Sequence, residues 1–221
     1  MSAKKAQRIL KKDKPAWART IVKRLREEYP DFECALTHRN AFELTVATIL
    51  SAQCTDEMVN KVTPALFRKF PTPQALAKAR TPTVEKLIHP TGFFRQKTKS
   101  LKGMAQKVSE DFGGEIPQTM AELLTLHGVA RKTANVVLGV AYGRAEGVVV
   151  DTHVKRLSGR LGLTKQTDPK KIEQDLMKLV PGEDWIDWSH LQIWHGRKVC
   201  SARKPACDRC VLNDRCPSST V

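Results

Sequence analysis

Residues 119–142 decide the fold, and they read TMAELLTLHGVARKTANVVLGVAY. Two stretches with apolar residues at helical spacing meet there at a tight turn around Gly128. Glycine adopts positive φ without steric cost, which suits such a turn. The second helix is predicted to begin between Val129 and Arg131. Its unpaired backbone N–H groups and the positive end of its dipole would bind phosphate without reading base sequence.

The alternative for this segment is an ordinary αα-hairpin, in which the glycine only ends a helix. The residues after the turn favour phosphate binding, because Arg131 and Lys132 follow it at once in a strongly basic chain. Lys132 also lies off the stripe that is predicted to be buried, which consists of Ala134, Val137, Leu138 and Ala141.

The charge of the chain indicates the same class of partner. The 221 residues include 38 Lys and Arg against 23 Asp and Glu, a formal net charge of +15. Such a field concentrates polyanions and favours nucleic acid over a merely solvated basic surface. No apolar run approaches the roughly 18 residues of a membrane span, and the stretch from Met1 to Lys14 lacks the apolar region of a signal peptide. We therefore expect an intracellular protein with no membrane partner.

Helix signals repeat along the whole chain and strand signals are nearly absent, so an all-α fold is predicted. A polar residue followed by proline is expected to open helices at Thr72-Pro73, Thr81-Pro82 and Asp168-Pro169. The segment 41–52 is apolar on almost every face and is expected to be a central helix. The predicted helices are 15–28, 41–52, 56–69, 73–79, 83–88, 93–111, 119–126, 131–142, 152–161, 169–179 and 185–199.

Four of the six cysteines are crowded near the end of the chain in the pattern C-x6-C-x2-C-x5-C; they are Cys200, Cys207, Cys210 and Cys216. Four thiolates this close in sequence can converge on one centre. Disulfides suit small secreted chains with evenly spread cysteines, and this chain has neither feature. Zinc and an iron–sulfur cluster both accept four cysteines, so the spacing alone leaves the metal open.

The hairpin sequence LHGVARKTAN, residues 126–135, resembles the helix-hairpin-helix of the endonuclease III DNA glycosylases. The similarity covers all but the basic arm of the first dozen residues, and its other motifs are LSAQCTD at 50–56, VDTH at 150–153, HGR at 195–197 and the cysteines. The family hairpin usually reads Leu-Pro-Gly-Val-Gly, whereas this chain has His127 and Ala130 in place of the proline and the second glycine. If position 130 requires positive φ, the methyl group costs about 1 kcal/mol or more.

The resemblance implies that the chain removes a damaged base and then nicks the strand through an imine. Among side chains only an amine forms an imine at the sugar C1′, so Lys132 is the candidate nucleophile. Lysine is ordinarily protonated at pH 7, and a helix N-terminus and the adjacent Arg131 disfavour the charged form. Asp151 is by residue type an N-cap. It matches the family aspartate that accepts the lysine proton and stabilises positive charge on the sugar.

The resemblance also implies DNA contacts and a cofactor. Gln53 would fill the gap left by an extruded nucleotide, helped by the loop 92–95, whose two phenylalanines are alternatively core residues. The four cysteines would bind a structural 4Fe–4S cluster that organises a basic loop for phosphate contact. The predicted DNA-binding residues are Gln53, His127, Gly128, Val129, Ala130, Arg131, Thr152, His153, Arg203 and Lys204.

The predicted architecture is an all-α, two-lobed helix-hairpin-helix glycosylase fold with a C-terminal cluster loop at 200–216. Residues 1–33, a basic arm and an N-terminal helix, are expected to pack on a cluster lobe of 145–221, and residues 34–144 to form a six-helix lobe. The implied partner is double-stranded DNA with an oxidised pyrimidine or an abasic site, bound by a monomer in the cytoplasm at the nucleoid. The alternatives are a glycosylase that only removes a base and a noncatalytic iron–sulfur DNA-binding protein. Lys132 argues against the first alternative, which shares the aspartate, and Lys132 together with Asp151 argues against the second.

Overall fold

The computed structural model describes residues 11–221, and over this range it contains helices and turns but no strand. The predicted all-α class is confirmed. Residues 1–10 of the predicted basic arm lie outside the described residues. Within the described range, no helix is both long and apolar enough to cross a membrane.

The α-helices are α1 Lys14–Glu28, α2 Ala41–Leu50, α3 Asp56–Lys69, α4 Pro73–Ala77, α5 Thr81–Ile88, α6 Phe94–Asp111, α7 Met120–Leu123, α8 Arg131–Tyr142, α9 Thr152–Arg160, α10 Pro169–Met177 and α11 Trp185–Lys198.

The chain divides into two compact units. The hairpin lobe is Cys34–Glu146, with α2 to α8, and the cluster lobe combines the chain up to Glu33 with Gly147–Val221. The hairpin lobe has seven α-helical segments, where six were expected. One of the seven is the single turn α7, which is shorter than the predicted helix 119–126. After α7, the backbone N–H groups of Thr125 and Leu126 bond to carbonyls three residues earlier, and this tighter winding ends the α-helix before the turn.

The core of the hairpin lobe is built around α2. Every residue from Phe42 to Leu50 is buried, as expected for a helix that is apolar on almost every face. Asn40 starts this helix, because its side chain accepts a hydrogen bond from the Glu43 backbone N–H at 2.9 Å. The carboxylate of Glu43 is buried and is paired with Arg39 at 2.5 Å. Helices α3, α6 and α8 pack on α2, so this central helix positions the helix that carries Lys132.

The core of the cluster lobe joins the two ends of the chain. Trp17 on α1 and Trp188 on α11 are both fully buried, and α1 and α9 pack on α11. Arg26 on α1 also forms ion pairs with Asp184 and Asp187, at 2.6 and 2.5 Å. The N-terminal helix therefore belongs to the same hydrophobic core as the helices around the cysteines.

Two of the three proline-associated caps form as predicted. The side chains of Thr72 and Asp168 each accept a hydrogen bond from the backbone N–H three residues further on. At the third site a helix also begins at the predicted pair with proline in its first turn, but Thr81 is already helical and the N-cap is Arg80, which makes no side-chain cap. Pro82 still favours a helix start there, since its missing N–H would have no partner in the first turn.

Candidate active site and cluster site

The turn of the hairpin requires glycine at position 128 for two reasons. Gly128 has a φ of +75°, as the sequence predicted. A Cβ built on this residue would lie 2.7 Å from the Cβ of Ser100 on α6, which is closer than carbon atoms approach. Leu126 and Val129 are buried on either side of the turn and anchor it in the core of the hairpin lobe. Backbone conformation and packing thus fix the start of α8.

Ala130 is the N-cap of α8, with φ −95° and ψ 171°. This extended conformation is open to any residue, so the expected cost of a methyl group at positive φ does not arise. Alanine has no side-chain acceptor, and the first turn of α8 therefore lacks a side-chain cap. Arg131, the first helical residue, is exposed, and its guanidinium reaches the carbonyl of Glu146 at 3.5 Å. This start of α8 is an arrangement suited to a phosphate oxygen.

His127 is exposed, and its ring lies against α6 at Gly103. A Cβ on Gly103 would come within 2.8 Å of the ring, so this glycine makes room for the histidine that departs from the family pattern. The signal available in the sequence was a glycine inside a strongly helical segment, and it was missed. His127 also lines a cavity along α6 together with the basic side chains of Arg95, Lys99, Lys102 and Lys107. His127 thus lies beside positive charge, and its contact with DNA stays a prediction.

Lys132 lies in the first turn of α8 and is exposed. On the same helix Ala134, Val137 and Leu138 are buried, as the predicted stripe requires, and Ala141 is half-buried. The amine is therefore directed away from the core of its own lobe. This exposure is a requirement for a lysine that attacks a nucleotide from outside the protein.

Asp151 is the N-cap of α9 and is half-buried. Its Oδ1 accepts a hydrogen bond from the Val154 backbone N–H at 2.8 Å. The capping role expected from its residue type is therefore present, and it uses one carboxylate oxygen. Asp151 belongs to the cluster lobe and Lys132 to the hairpin lobe, so the approach of these two side chains stays a prediction.

The two residues after Asp151 differ in exposure. Thr152 is exposed at the start of α9, whereas His153 is half-buried with its Nδ1 3.2 Å from Nη2 of Arg156. A Cβ on Gly196 of α11 would lie 2.6 Å from the same Nδ1, so Gly196 provides the space for the ring. The glycine of the motif HGR at 195–197 therefore serves packing. The DNA contacts of Thr152 and His153 stay predictions.

All four clustered cysteines line one cavity of the cluster lobe, together with Leu157, Arg160, Leu161 and His195; they are Cys200, Cys207, Cys210 and Cys216. Arg160 Nη1 donates to Cys200 Sγ at 3.2 Å. Burial, together with smaller contributions from the neighbouring cysteines, raises the pKa of Cys210 to about 11. Burial likewise raises the pKa of Cys216. Four thiols gathered in one cavity fit a positively charged iron centre, which holds cysteines as thiolates.

A buried histidine contacts one of these sulfurs. Burial lowers the pKa of His195 to about 4, so its ring is neutral. Burial raises the pKa of Tyr29 to about 12, and its protonated hydroxyl lies 3.0 Å from His195 Nδ1. With Nδ1 accepting from Tyr29, the ring proton is assigned to Nε2, which lies 3.4 Å from Cys210 Sγ. No local pattern could identify Tyr29 as a partner of His195, because 166 residues separate the two.

Arg160 also shapes the basic loop between the first two cysteines. Its guanidinium donates to the carbonyls of Ser201 and Ala202, both at 2.7 Å. Arg203 and Lys204 are exposed on this loop. The predicted phosphate-binding side chains are therefore presented on a segment that one arginine ties to α9.

Two exposed loop residues of the hairpin lobe have unusual backbone conformations. Gln53, with φ +52°, and Phe93, with φ +46°, are the non-glycine residues of positive φ in the part of the chain that the structure describes. Phe93 is 66% exposed, so the alternative that it belongs to the core is wrong. Phe94 is half-buried and packs against the core and against His89, with ring centroids 4.5 Å apart. Strained residues of this kind cluster at functional sites.

Family models match both parts of this site. One, described as HhH-GPD superfamily base excision DNA repair protein, covers residues 46–182, and the other, the iron-sulfur binding domain of endonuclease III, covers residues 200–216. The first range includes the hairpin, Lys132 and Asp151, and the second includes the four cysteines. The fold and site thus define a helix-hairpin-helix protein of base excision DNA repair with an iron–sulfur cluster.

Individual relatives narrow this class. Endonuclease III of Synechocystis sp. is 58% identical over 202 residues, 91% of this chain and 92% of the relative. A solved non-covalent endonuclease III–DNA complex has a TM-score of 0.86 at 39% identity and covers 92% of this chain and 95% of that chain. A trapped endonuclease III–DNA covalent intermediate has a TM-score of 0.86 at 40% identity and covers 92% of this chain and 96% of that chain.

The chain belongs to the endonuclease III family. It is a bifunctional DNA glycosylase and abasic-site lyase of base excision repair, and it carries a 4Fe–4S cluster. The predicted family, activity and cofactor are confirmed.

Proposed function

We propose that this enzyme excises oxidised or ring-saturated pyrimidines from duplex DNA and cleaves abasic sites, with Lys132 as the nucleophile and Asp151 as its partner. The observation that carries the proposal is the exposed amine in the first turn of α8, directly after the turn at Gly128 and the start of α8 at Ala130. Donors on the backbone at that start hold phosphate while the lysine reaches the sugar. The solved endonuclease III complexes at 39% and 40% identity include one trapped as a covalent intermediate with DNA.

The chemistry requires an uncharged amine. Asp151 accepts a proton from Lys132, and the amine then forms a bond to C1′ as the glycosidic bond breaks. Asp151 passes that proton to the departing base and is again a carboxylate. The sugar opens to an imine, and loss of a proton from C2′ expels the 3′ phosphate. Water then hydrolyses the imine and returns the amine. The Asp151 carboxylate, with Oδ1 on the α9 cap, also stabilises the positive charge that develops on the sugar.

The cysteine cavity contributes to the reaction only by holding the fold of the cluster lobe in place. When bound, the cluster supplies a rigid centre that orders the segment 200–216, and neither step of the reaction requires an electron transfer. Cys200, Cys207, Cys210 and Cys216 would hold it. Arg203 and Lys204 are then held on an ordered loop and contact phosphates of the duplex.

The remaining assignments concern recognition of the duplex. Gln53 and Phe93 fill the space left by the extruded nucleotide, which their exposure and positive φ support. The backbone N–H groups of Gly128 and of the first turn of α8, from Ala130 to Thr133, bind a phosphate, whereas the N–H of Val129 donates to the carbonyl of Leu126 at 3.2 Å. His127, Thr152 and His153 add side-chain contacts. The enzyme acts as a monomer on DNA at the nucleoid in the cytoplasm, where a net charge of +15 favours the polyanion.

Borohydride reduction tests the proposal. We expect the purified protein, incubated with a duplex containing thymine glycol or an abasic site, to give a covalent adduct on reduction, and Lys132→Ala to abolish it. Lys61→Ala is the matched control, because Lys61 is an exposed lysine on α3. Base release without an adduct would instead indicate a glycosylase that only removes bases, and neither product would indicate a noncatalytic protein. Excision of oxidised purines only would contradict the proposed substrate class.

A further inference from the structure

A basic groove runs along α6 beside the turn of the hairpin. Its volume is about 610 Å³, and it is lined by side chains from α6, from the start of α5 and from the hairpin. We call it the α6 groove. Its basic lining residues are Arg95, Lys99, Lys102, Lys107 and His127. Its acidic lining residues, Glu110 and Asp111, are the last two residues of α6.

Helical spacing places three of these cations in one row. Arg95, Lys99 and Lys102 stand at positions i, i+4 and i+7 of α6 and therefore share one face of the helix. The row spans about 10 Å, because each residue advances an α-helix by about 1.5 Å. One strand of duplex DNA carries a phosphate for about every 3.4 Å of its axis, so this row matches about three consecutive phosphates.

Neighbouring carboxylates do not neutralise the row. Within residues 11–221, no ion pair joins a carboxylate to Arg95, Lys99 or Lys102. The lining carboxylates are confined to the C-terminal end of α6, where Lys107 pairs with Asp111 at 2.6 Å. The positive charge of the groove is therefore concentrated in the N-terminal two-thirds of α6.

The three cations of the row are presented differently. Lys102 is half-buried, and its ammonium is fixed by donating to the carbonyl of Ala79. Arg95 is exposed, with its guanidinium carbon 5.6 Å from the centroid of the Phe94 ring. Lys99 is exposed between them. Lys99 is thus the cation of the row whose removal disturbs the fold least.

The α6 groove is continuous with the turn of the hairpin. His127, the residue before Gly128, lines the groove and lies against α6 at Gly103. Ser100, which directly follows Lys99, is the residue on which Gly128 packs. A strand with one phosphate at the start of α8 therefore has its neighbouring phosphates on one side next to α6.

We propose that the α6 groove binds about three phosphates of the duplex that flank the lesion, with Lys99 as the central cation. Contacts to phosphate carry no base sequence, so this one forms on undamaged and damaged duplex alike. The inference rests on the proposed function, in which the hairpin holds a phosphate. It extends the DNA interface from the hairpin to the row of cations on α6.

The salt dependence of binding tests the groove through Lys99→Gln. Each phosphate contact contributes about 0.9 to the slope of log K against log salt concentration, so the slope for an undamaged duplex should fall by about 0.9. The affinity at low salt, measured by fluorescence anisotropy, should fall by about fivefold. Lys99→Arg keeps the charge and should restore both quantities.

Lys61→Gln is the matched control, because Lys61 is an exposed lysine of the same lobe that lies on α3, outside the groove. Its slope should stay close to that of the unchanged protein. This comparison separates a local contact from the general loss of one positive charge, which affects any variant of a basic protein.

Neutral methylphosphonates locate the contact on the DNA. Windows of three phosphates are replaced in turn along each strand of a duplex that carries an abasic-site analogue. At one window beside the lesion, we expect the replacement to weaken binding of the unchanged protein by about fivefold and that of Lys99→Gln by less than about twofold. The two changes are then not additive, which shows that they remove the same contact.

A slope change in Lys99→Gln no larger than that in Lys61→Gln would overturn the proposal, as would the absence of any window whose effect depends on Lys99. Binding of inorganic pyrophosphate that requires Lys99, with an unchanged slope for the duplex, would assign the groove to a small anion and would also overturn it. Failure of the unchanged protein to excise thymine glycol would refute the proposed function instead, because the slope on undamaged duplex is measured without any excision.

Discussion

The turn of the hairpin and the loop of the cysteines are held in place by different means. Gly128 is fixed by its own positive φ and by close contact with Ser100, which are interactions that the polypeptide makes unaided. Within 200–216, by contrast, Leu212 is the one buried side chain, and the other fixed points are polar contacts such as those of Arg160. The hairpin is therefore a property of the chain, whereas the cysteine loop depends on the group that it holds.

Removing one cysteine should have the largest effect of the variants considered, and it should act on the cysteine loop but not on the hairpin. We expect Cys207→Ala to lose the broad visible absorbance and the bound iron, and to destabilise the cluster lobe by at least about 4 kcal/mol, as loss of a metal site does. Amide hydrogen exchange should show lost protection in 200–216, while the amides around Gly128 remain protected.

The matched control is Cys34→Ala, because Cys34 is half-buried in the hairpin lobe and lies outside the cysteine cavity. It should retain the iron and the absorbance. If the hairpin amides lost protection together with the loop in Cys207→Ala, the two regions would not be independent and the comparison would be wrong.

The next largest effect should come from Gly128→Ala. The left-handed backbone costs about 1–2 kcal/mol for a residue with a side chain, and the contact with Ser100 adds about 1–3 kcal/mol of overpacking. We therefore expect the free energy of unfolding, measured in urea, to fall by about 2–5 kcal/mol. The iron content should not change, because the variant acts on the chain's own packing.

Two variants separate the causes of that loss. Gly143→Ala, at φ +64° with no atom within 4 Å of the added methyl group, should show the backbone cost alone, about 1 kcal/mol. In a Ser100→Gly background, Gly128→Ala should also cost close to that amount. A Gly128→Ala loss no larger than that of Gly143→Ala would show that the contact with Ser100 is relieved by a small shift.

The sequence predicted most of the hairpin because the signals there are local. The glycine turn, the exposure of Lys132 and the burial of the segment 42–50 all follow from residue type and helical spacing. The φ of Ala130 did not follow, since the backbone of a turn depends on the groups packed around it. The family pattern suggested a positive φ that the structure does not have.

The contacts around the cysteines could not be predicted for a different reason. Arg160 reaches Ser201 across 41 residues and Tyr29 reaches His195 across 166, and no spacing rule connects such pairs. Spacing identified the cysteines as a metal site, and the resemblance supplied the cofactor and the role of Asp151, but only packing shows which side chains support them. The approach of Lys132 to Asp151 depends on the arrangement of two lobes, which no local pattern encodes.

The smallest expected effect concerns the start of α8, where stability and DNA binding should oppose each other. Ala130→Ser supplies the side-chain acceptor that this N-cap lacks, and it should raise the free energy of unfolding by roughly 1 kcal/mol. The same hydroxyl would occupy an N–H group that we assign to phosphate, so the affinity for a duplex with an abasic-site analogue, measured by fluorescence anisotropy, should fall roughly threefold. Ala130→Gly is the matched control: glycine is also a better N-cap than alanine but carries no acceptor, so stability should rise without loss of affinity. Unchanged affinity in Ala130→Ser would mean that phosphate is held elsewhere, because a donor engaged by the serine cannot also bind the strand.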